Sequence, residues 1–222
     1  IGISLATHIA KCAGVSDRKF GDLESDIKSL HEKSFPVLDD ARGEEMAQRI
    51  LKAREEADSV GGVTETVICG TPAGVGEPWF DSVESVISHA AFSLGGVKGV
   101  EFGAGFAAAD MKGSESNDPL RVSGGRIVTT TNNNGGVNGG ITNGMPIVFR
   151  CAVKPTPSIA QQQDTVDFIK NENTQLSIHG RHDPAIIRRI CPVLDSVAAL
   201  CVADMLSLRY GTDVLTKGVD DR

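Results

Sequence analysis

The chain has 222 residues, of which 40% are apolar, 23% charged and only 5% aromatic. A chain this long buries roughly 70% of its unfolded surface without help from disulfides or metals, and unperiodic glycine with ordinary apolar content excludes collagen and disorder. Acidic residues (29) outnumber Lys plus Arg (22), and there is one Trp and one Tyr, which argues against a nucleic-acid or anionic-lipid binder. In chain order, residues 1–13 are expected to form an amphipathic helix and 15–43 a polar stretch with little periodicity. Glu44 to Ser59 reads as a surface helix striped by Met46, Ala47, Ile50, Leu51 and Ala57, with Glu45 four residues before Arg49. Gly61-Gly62 stops it, and β-branched Val63 to Cys69 reads as a strand.

Trp79, Phe80, Val83, Val86, Ile87, Ala90, Ala91 and Leu94 recur at a helical period behind Pro78. Gly95-Gly96 ends that helix and Val97 to Phe102 begins a strand. Ile147 to Lys154 alternates, placing Ile147, Phe149, Cys151 and Val153 on one face and Arg150 with Lys154 on the other. Pro192 to Leu208 is apolar almost all round, so both sides are expected to be covered by protein. Carrying Asp195 and Asp204, it is too short and too charged to span a bilayer. The pattern implies an α+β fold, read as one domain over residues 1–222.

The five cysteines (Cys12, Cys69, Cys151, Cys191, Cys201) are scattered in apolar settings. They read as core residues of a reducing compartment. Neither they nor His8, His31, His89 and His179 show metal-ligand spacing, so no metal site is expected. No basic segment precedes Ile3 to Ala6, so no signal peptide is read and a cytoplasmic protein is the default. Because the chain begins with Ile1 rather than Met, it reads as starting partway through a longer protein.

Thirteen of the 25 glycines lie between Gly95 and Gly144. Tight turns between strands are one reading, with Asn134-Gly135 suited to a hairpin; backbone N–H groups cradling an anion are the other. The same region carries Lys98, Lys112, Arg121, Arg126, Arg150 and Lys154 against four acids. Arg150 and Lys154, sharing one face of a strand, favour a phosphate or carboxylate ligand. Lys154-Pro155-Thr156-Pro157-Ser158 follows directly, either as a stiff linker or as a rigid platform presenting two hydroxyls beside an ammonium. In Gly180-Arg181-His182-Asp183-Pro184, Arg181 can grip an oxyanion, and Asp183 can act as a base or cap the next helix.

Several of these segments together resemble the chorismate synthase family. They are Asp58–Gly62, Gly74–Pro78, Val97–Gly103 with Gly105-Phe106, Lys112–Asp118, Thr131–Gly144, Lys154–Ser158 and Gly180–Pro184. Residues 58–222 match strongly and 1–57 loosely. The resemblance implies a β-α-β sandwich of antiparallel sheets around long helices. It also implies a lyase that eliminates phosphate from 5-enolpyruvylshikimate 3-phosphate, giving chorismate for aromatic amino acid biosynthesis. The family works as a cytoplasmic homotetramer with reduced FMN, and NADP is associated with it. Carried over by resemblance, Gly95, Gly96, Gly139, Lys154, Pro155, Thr156, Pro157, Ser158 and Arg181 contact FMN, and Asp183 is the catalytic aspartate.

Gly95-Gly96 replaces a less flexible pair, and Lys112 a frequent arginine. The family's Gly-Glu-Ser-His-Gly motif, several substrate-gripping arginines and a second histidine are not in this sequence. The chain alone is therefore expected to be inactive. The rival reading is a catalytically silent, self-associating core. A kinase-like phosphate binder is disfavoured, since no GxxxxGK[ST] sequence occurs.

Overall fold

A computed structural model of the chain describes residues 2–178, 180, 182–213 and 215. Its centre is an antiparallel sheet of five strands in the order β2-β1-β3-β9-β4. The strands are β1 (Ser4–Cys12), β2 (Val15–Ser16), β3 (Gly62–Cys69), β4 (Val97–Phe102) and β9 (Ile147–Val153). Helices α1 (Leu23–Glu32), α2 (Asp40–Glu55), α3 (Val83–Phe92) and α5 (Ile187–Tyr210) pack around it, and α4 (Gly113–Ser116) is a single turn. Two-stranded ribbons pair β5 (Leu120–Ser123) with β6 (Arg126–Thr129), β7 (Val137–Asn138) with β8 (Ile141–Thr142), and β10 (Gln163–Asp167) with β11 (Glu172–Leu176). The class is α+β, as the element pattern implied.

The two faces of the sheet have separate cores. On one, α3 and α5 bury Ile9, Ile68, Ile147, Phe149, Ile87, Leu194 and Leu206. On the other, α1 brings Ile27 and Leu30 against Ala6 and Val67. The strands expected at Val63–Cys69, Val97–Phe102 and Ile147–Lys154 form β3, β4 and β9. The predicted core face of β9 is fully buried.

Other expectations need correction. Within residues 1–13, Ser4–Cys12 form strand β1, not a helix: both its faces are covered, so the strand lacks the two-residue alternation that marks a half-buried one. The polar stretch 15–43 contains α1, whose buried Ile27 and Leu30 are too few to give a clear period. The helix read as Glu44–Ser59 begins at Asp40, where Asp39 caps the backbone N–H groups of Ala41 and Arg42. Ala57 lies beyond its end at φ 57°.

The helix expected from Trp79 starts at Val83. Trp79 and Phe80 form a 3₁₀ turn and are more than 80% exposed, and Ser82 accepts the N–H of Ser85 to cap the helix proper. The tight two-residue hairpin turns fall at Gly124-Gly125 and Gly139-Gly140, all at positive φ, rather than at Asn134-Gly135.

Helix α5 runs 24 residues, five longer at its start than read, so by length and composition it could cross a membrane. Its packing shows the reason for its apolarity: Ile187, Leu194, Ala198, Val202 and Leu206 lie in the core. It is not covered all round, because Leu200 and Leu208 are about 70% exposed.

Candidate functional site

Three segments meet where β9 leaves the sheet. The backbone N–H of Lys154 donates to Gly96 O at 2.9 Å, which ties the end of β9 to the turn after α3. Ser59 Oγ donates to Thr156 O at 2.6 Å, and Val60 N–H to Pro184 O at 2.8 Å. The loop before β3 thereby joins the Lys154–Ser158 segment to the turn before α5. Gly61 is required here, since a Cβ would sit 2.4 Å from Val153 O and 3.0 Å from Pro155. These contacts border a cavity of about 220 Å³ lined by Arg54, Asp58, Ser59, Ser158, His182 and Asp183.

Asp183 is half-buried. One oxygen accepts the Ala185 N–H at 3.2 Å, so it does cap the turn, and the other pairs with Arg189 at 3.1 Å. His182 Nε2 lies 2.9 Å from Ile178 O. Thr156 Oγ1 is buried without a hydrogen-bond partner, and Lys154 is exposed. A buried hydroxyl left unpaired beside an exposed ammonium suits an anionic or polyhydroxy ligand, because an orphaned polar group otherwise costs about 1–3 kcal/mol.

The predicted residues fall into three groups. Ser158 and Asp183 line this cavity, Lys154, Pro155, Thr156 and Pro157 lead into Ser158 along the chain, and Gly95-Gly96 is tied to that segment by the bond from Lys154 N–H to Gly96 O. Gly96 has φ 105° and a Cβ there would sit 2.8 Å from Ile186 Cδ1, while Gly95 has open space beside it. Gly139 does not join them. It sits in the β7–β8 turn, whose Gly140 O accepts the Val83 N–H at the start of α3. The ten residues of α3 put about 15 Å between that turn and Gly95. Arg181 lies outside the described residues.

Arg150 is not available as a ligand cation. Its Nε donates to Glu101 at 2.6 Å, Nη1 to Glu65 at 3.0 Å and Nη2 to Gly103 O at 2.6 Å. It belongs to a ladder that sequence reasoning missed. His8, Glu65, Arg150 and Glu101 are direct cross-strand neighbours on β1, β3, β9 and β4. They form a row of alternating charge across the sheet. Burial alone would raise the Glu65 pKa, but His8 and Arg150 together hold it below its ordinary value. Glu101 is likewise held low against burial, by the Phe106 N–H and Arg150. The signal was present in the strand alternation, but it required knowing that residues 4–12 form a strand.

A second hub was also missed. Asp118 accepts from Thr131 Oγ1, the N–H groups of Asn133 and Asn134, and Asn134 Nδ2, and so shapes the Asn-rich loop. The cysteines are free, and burial pushes Cys12 up to about 11 and Cys151 to about 12, which keeps both as thiols.

The family model described as chorismate synthase matches residues 1–207. The chain belongs to the chorismate synthase family. It is 43% identical over 210 residues to chorismate synthase of Methanosarcina acetivorans, covering 95% of this chain and 57% of that protein. The Korarchaeum cryptofilum chorismate synthase is 50% identical over 166 residues, or 74% of this chain and 46% of the relative. A crystal structure of chorismate synthase superposes with a TM-score of 0.74 at 28% identity, covering 96% of this chain and 59% of that one. The chain thus spans about half the length of the chorismate synthases it matches.

Proposed function

We propose that this chain forms the flavin-holding part of a chorismate synthase. The whole enzyme would eliminate phosphate from 5-enolpyruvylshikimate 3-phosphate to give chorismate. The observation that carries this reading is a cavity lined by Ser158 and Asp183, to which the Lys154–Ser158 segment leads with an unpaired buried hydroxyl and an exposed ammonium on it.

These groups suit the phosphate and ribityl end of FMN. Lys154 would hold the phosphate, and Thr156 and Ser158 would bond hydroxyls or phosphate oxygens. A cavity of about 220 Å³ is smaller than the roughly 300–1,000 Å³ of complete small-molecule pockets, so this chain supplies one wall of the site. When bound, reduced FMN supplies electron density to the elimination with no net redox change. Asp183, its carboxylate oriented by Arg189, would act as a base that takes up a proton. The family resemblance also implies flavin contacts from Arg181 and Gly139, the latter about 15 Å from Gly95 along α3.

The parent enzyme is read as a cytoplasmic homotetramer. Exposed Leu200 and Leu208 on α5, together with Phe168 and Ile169 at the β10–β11 turn, favour self-association. They also favour the second reading, a silent core that assembles without turning over.

Flavin fluorescence titration of the purified chain, beside an anaerobic turnover assay against a full-length chorismate synthase, separates the two. The chain is expected to bind FMN and to turn over at least 100-fold more slowly than the full-length enzyme, since each absent acid–base group is worth roughly 10²–10⁴-fold. No FMN binding by folded chain would remove the proposal. Turnover within tenfold would show that the chain's own residues suffice.

A further inference from the structure

We propose that His8 is a proton-operated latch on the first turn of α2. The imidazole is fully buried, with Phe20 edge-on at 4.8 Å. Both ring nitrogens face carboxylates: Nδ1 is 2.8 Å from Asp17 Oδ2 and Nε2 is 3.4 Å from Glu65 Oε1. A neutral imidazole has one N–H, so it would turn a lone pair toward one of those oxygens. Only the imidazolium donates to both.

The surrounding charges favour the same form. Asp17 faces the ring from the loop after β2, Glu65 from β3 and Asp26 from α1. Glu101 on β4 lies at the end of the ladder. Against these four carboxylates stand Arg18, paired with Asp26, and Arg150, paired with Glu65 and Glu101. A protonated His8 supplies the third cation of the group. Burial by itself pushes the imidazole down, yet hydrogen bonds to Asp17 and Glu65 outweigh it and raise the group above its ordinary 6.5.

Asp17 carries the effect onward. Besides His8, it accepts the backbone N–H of Leu38 at 2.6 Å, of Asp39 at 2.9 Å and of Arg18 at 2.8 Å. Asp39 in turn caps α2, and residues just past the far end of α2 (Ala57, Asp58 and Ser59) line the cavity described above. When His8 loses its proton, a buried carboxylate loses its donor and meets a lone pair instead. Where the neutral ring keeps its one N–H on Nε2, the lone pair at Nδ1 falls on Asp17 at 2.8 Å, the closer contact, and strains its hold on the 37–39 turn, while Glu65 keeps Arg150. Because the folded value is raised, the latch is fully set below about pH 6.5 and releases as pH climbs through the folded value.

The test uses the wild-type chain labelled with ¹⁵N. Imidazole spectra report the protonation of His8, and hydrogen exchange reports Leu38 and Asp39 against reference amides in the β3–β9 ladder, from pH 6 to 10, corrected for intrinsic base catalysis. His8 should carry two N–H groups at pH 6. Across its midpoint, Leu38 and Asp39 should lose at least tenfold protection relative to the ladder, and His8→Gln should show no such step. A single-N–H tautomer at pH 6, or Leu38 and Asp39 running parallel to the ladder up to pH 10, overturns the proposal. The wild-type data decide it even where His8→Gln fails to fold.

Discussion

Arg150 on β9 and Lys154 just past its end stand four residues apart, and their surroundings differ in kind. Arg150 spends its guanidinium on two carboxylates and a carbonyl, in a row of charges that runs across four strands. Lys154 stands exposed at the strand's end, beside a segment stiffened by two prolines and a hydroxyl without a partner. The first region is matched within the chain, and the second is left to be matched by something else. A cation on a strand face therefore indicates a ligand only when the neighbouring strands carry no anions opposite it. Here they do for Arg150, because Glu65 and Glu101 are its direct cross-strand neighbours.

The largest effect expected from this contrast is that of Arg150→Ala. It leaves Glu65 and Glu101 without their shared cation in a partly buried setting, and should lower unfolding free energy by about 3 kcal/mol in urea titration. A loss below 1 kcal/mol would place Arg150 with Lys154 as an unmatched charge. Next comes Gly61→Ala, at about 2 kcal/mol, because the added methyl meets the Val153 carbonyl and Pro155. This substitution pushes the loop before β3 away from Lys154–Ser158, so FMN affinity should fall together with stability. Lys154→Ala should separate the two readouts. Stability should change by no more than about 0.5 kcal/mol, while FMN binding weakens tenfold or more, as for a lost charge-assisted bond. Unchanged FMN affinity would return Lys154 to ordinary surface solvation.

Much of this fold was legible in the sequence where one face of an element is wet. The alternation in Ile147–Lys154 marks a strand with one face less covered, whereas Val63–Cys69, buried on both faces, was readable from its β-branched run. β1 escaped because it is covered on both faces and carries only two β-branched residues, Thr7 and Ile9, so neither signal marks it. That one error hid the charge ladder, since His8 has no meaning until it stands beside Glu65. Trp79 and Phe80 misled differently. They continue the helical spacing of Val83 and Ile87 by chance of placement, but Trp79 has φ 70° and Ser82 is the true cap. The site segments were read from resemblance, and their meeting depends on three long-range hydrogen bonds, at Lys154, Thr156 and Pro184, that no local pattern encodes.

The smallest effect tests whether the ladder is electrostatic at all. Glu65, Glu101 and Asp17 are each held below their ordinary values, 4.5 for glutamate and 3.8 for aspartate. A carboxylate whose folded value is depressed contributes stability that is present above its unfolded value and drains away as pH falls through the folded one. Wild-type protein should therefore lose stability progressively below about pH 4.5. In Arg150→Ala, Glu65 and Glu101 lack the guanidinium, so their folded values move upward. That variant then has less of this stability to lose on acidification. The gap between wild type and Arg150→Ala should consequently be widest near pH 7 and narrow toward pH 3.5. Urea midpoints at pH 7, 5 and 3.5 measure it. A gap that stays constant across that range would mean that Arg150 stabilises the sheet through packing of its stem rather than through its charge.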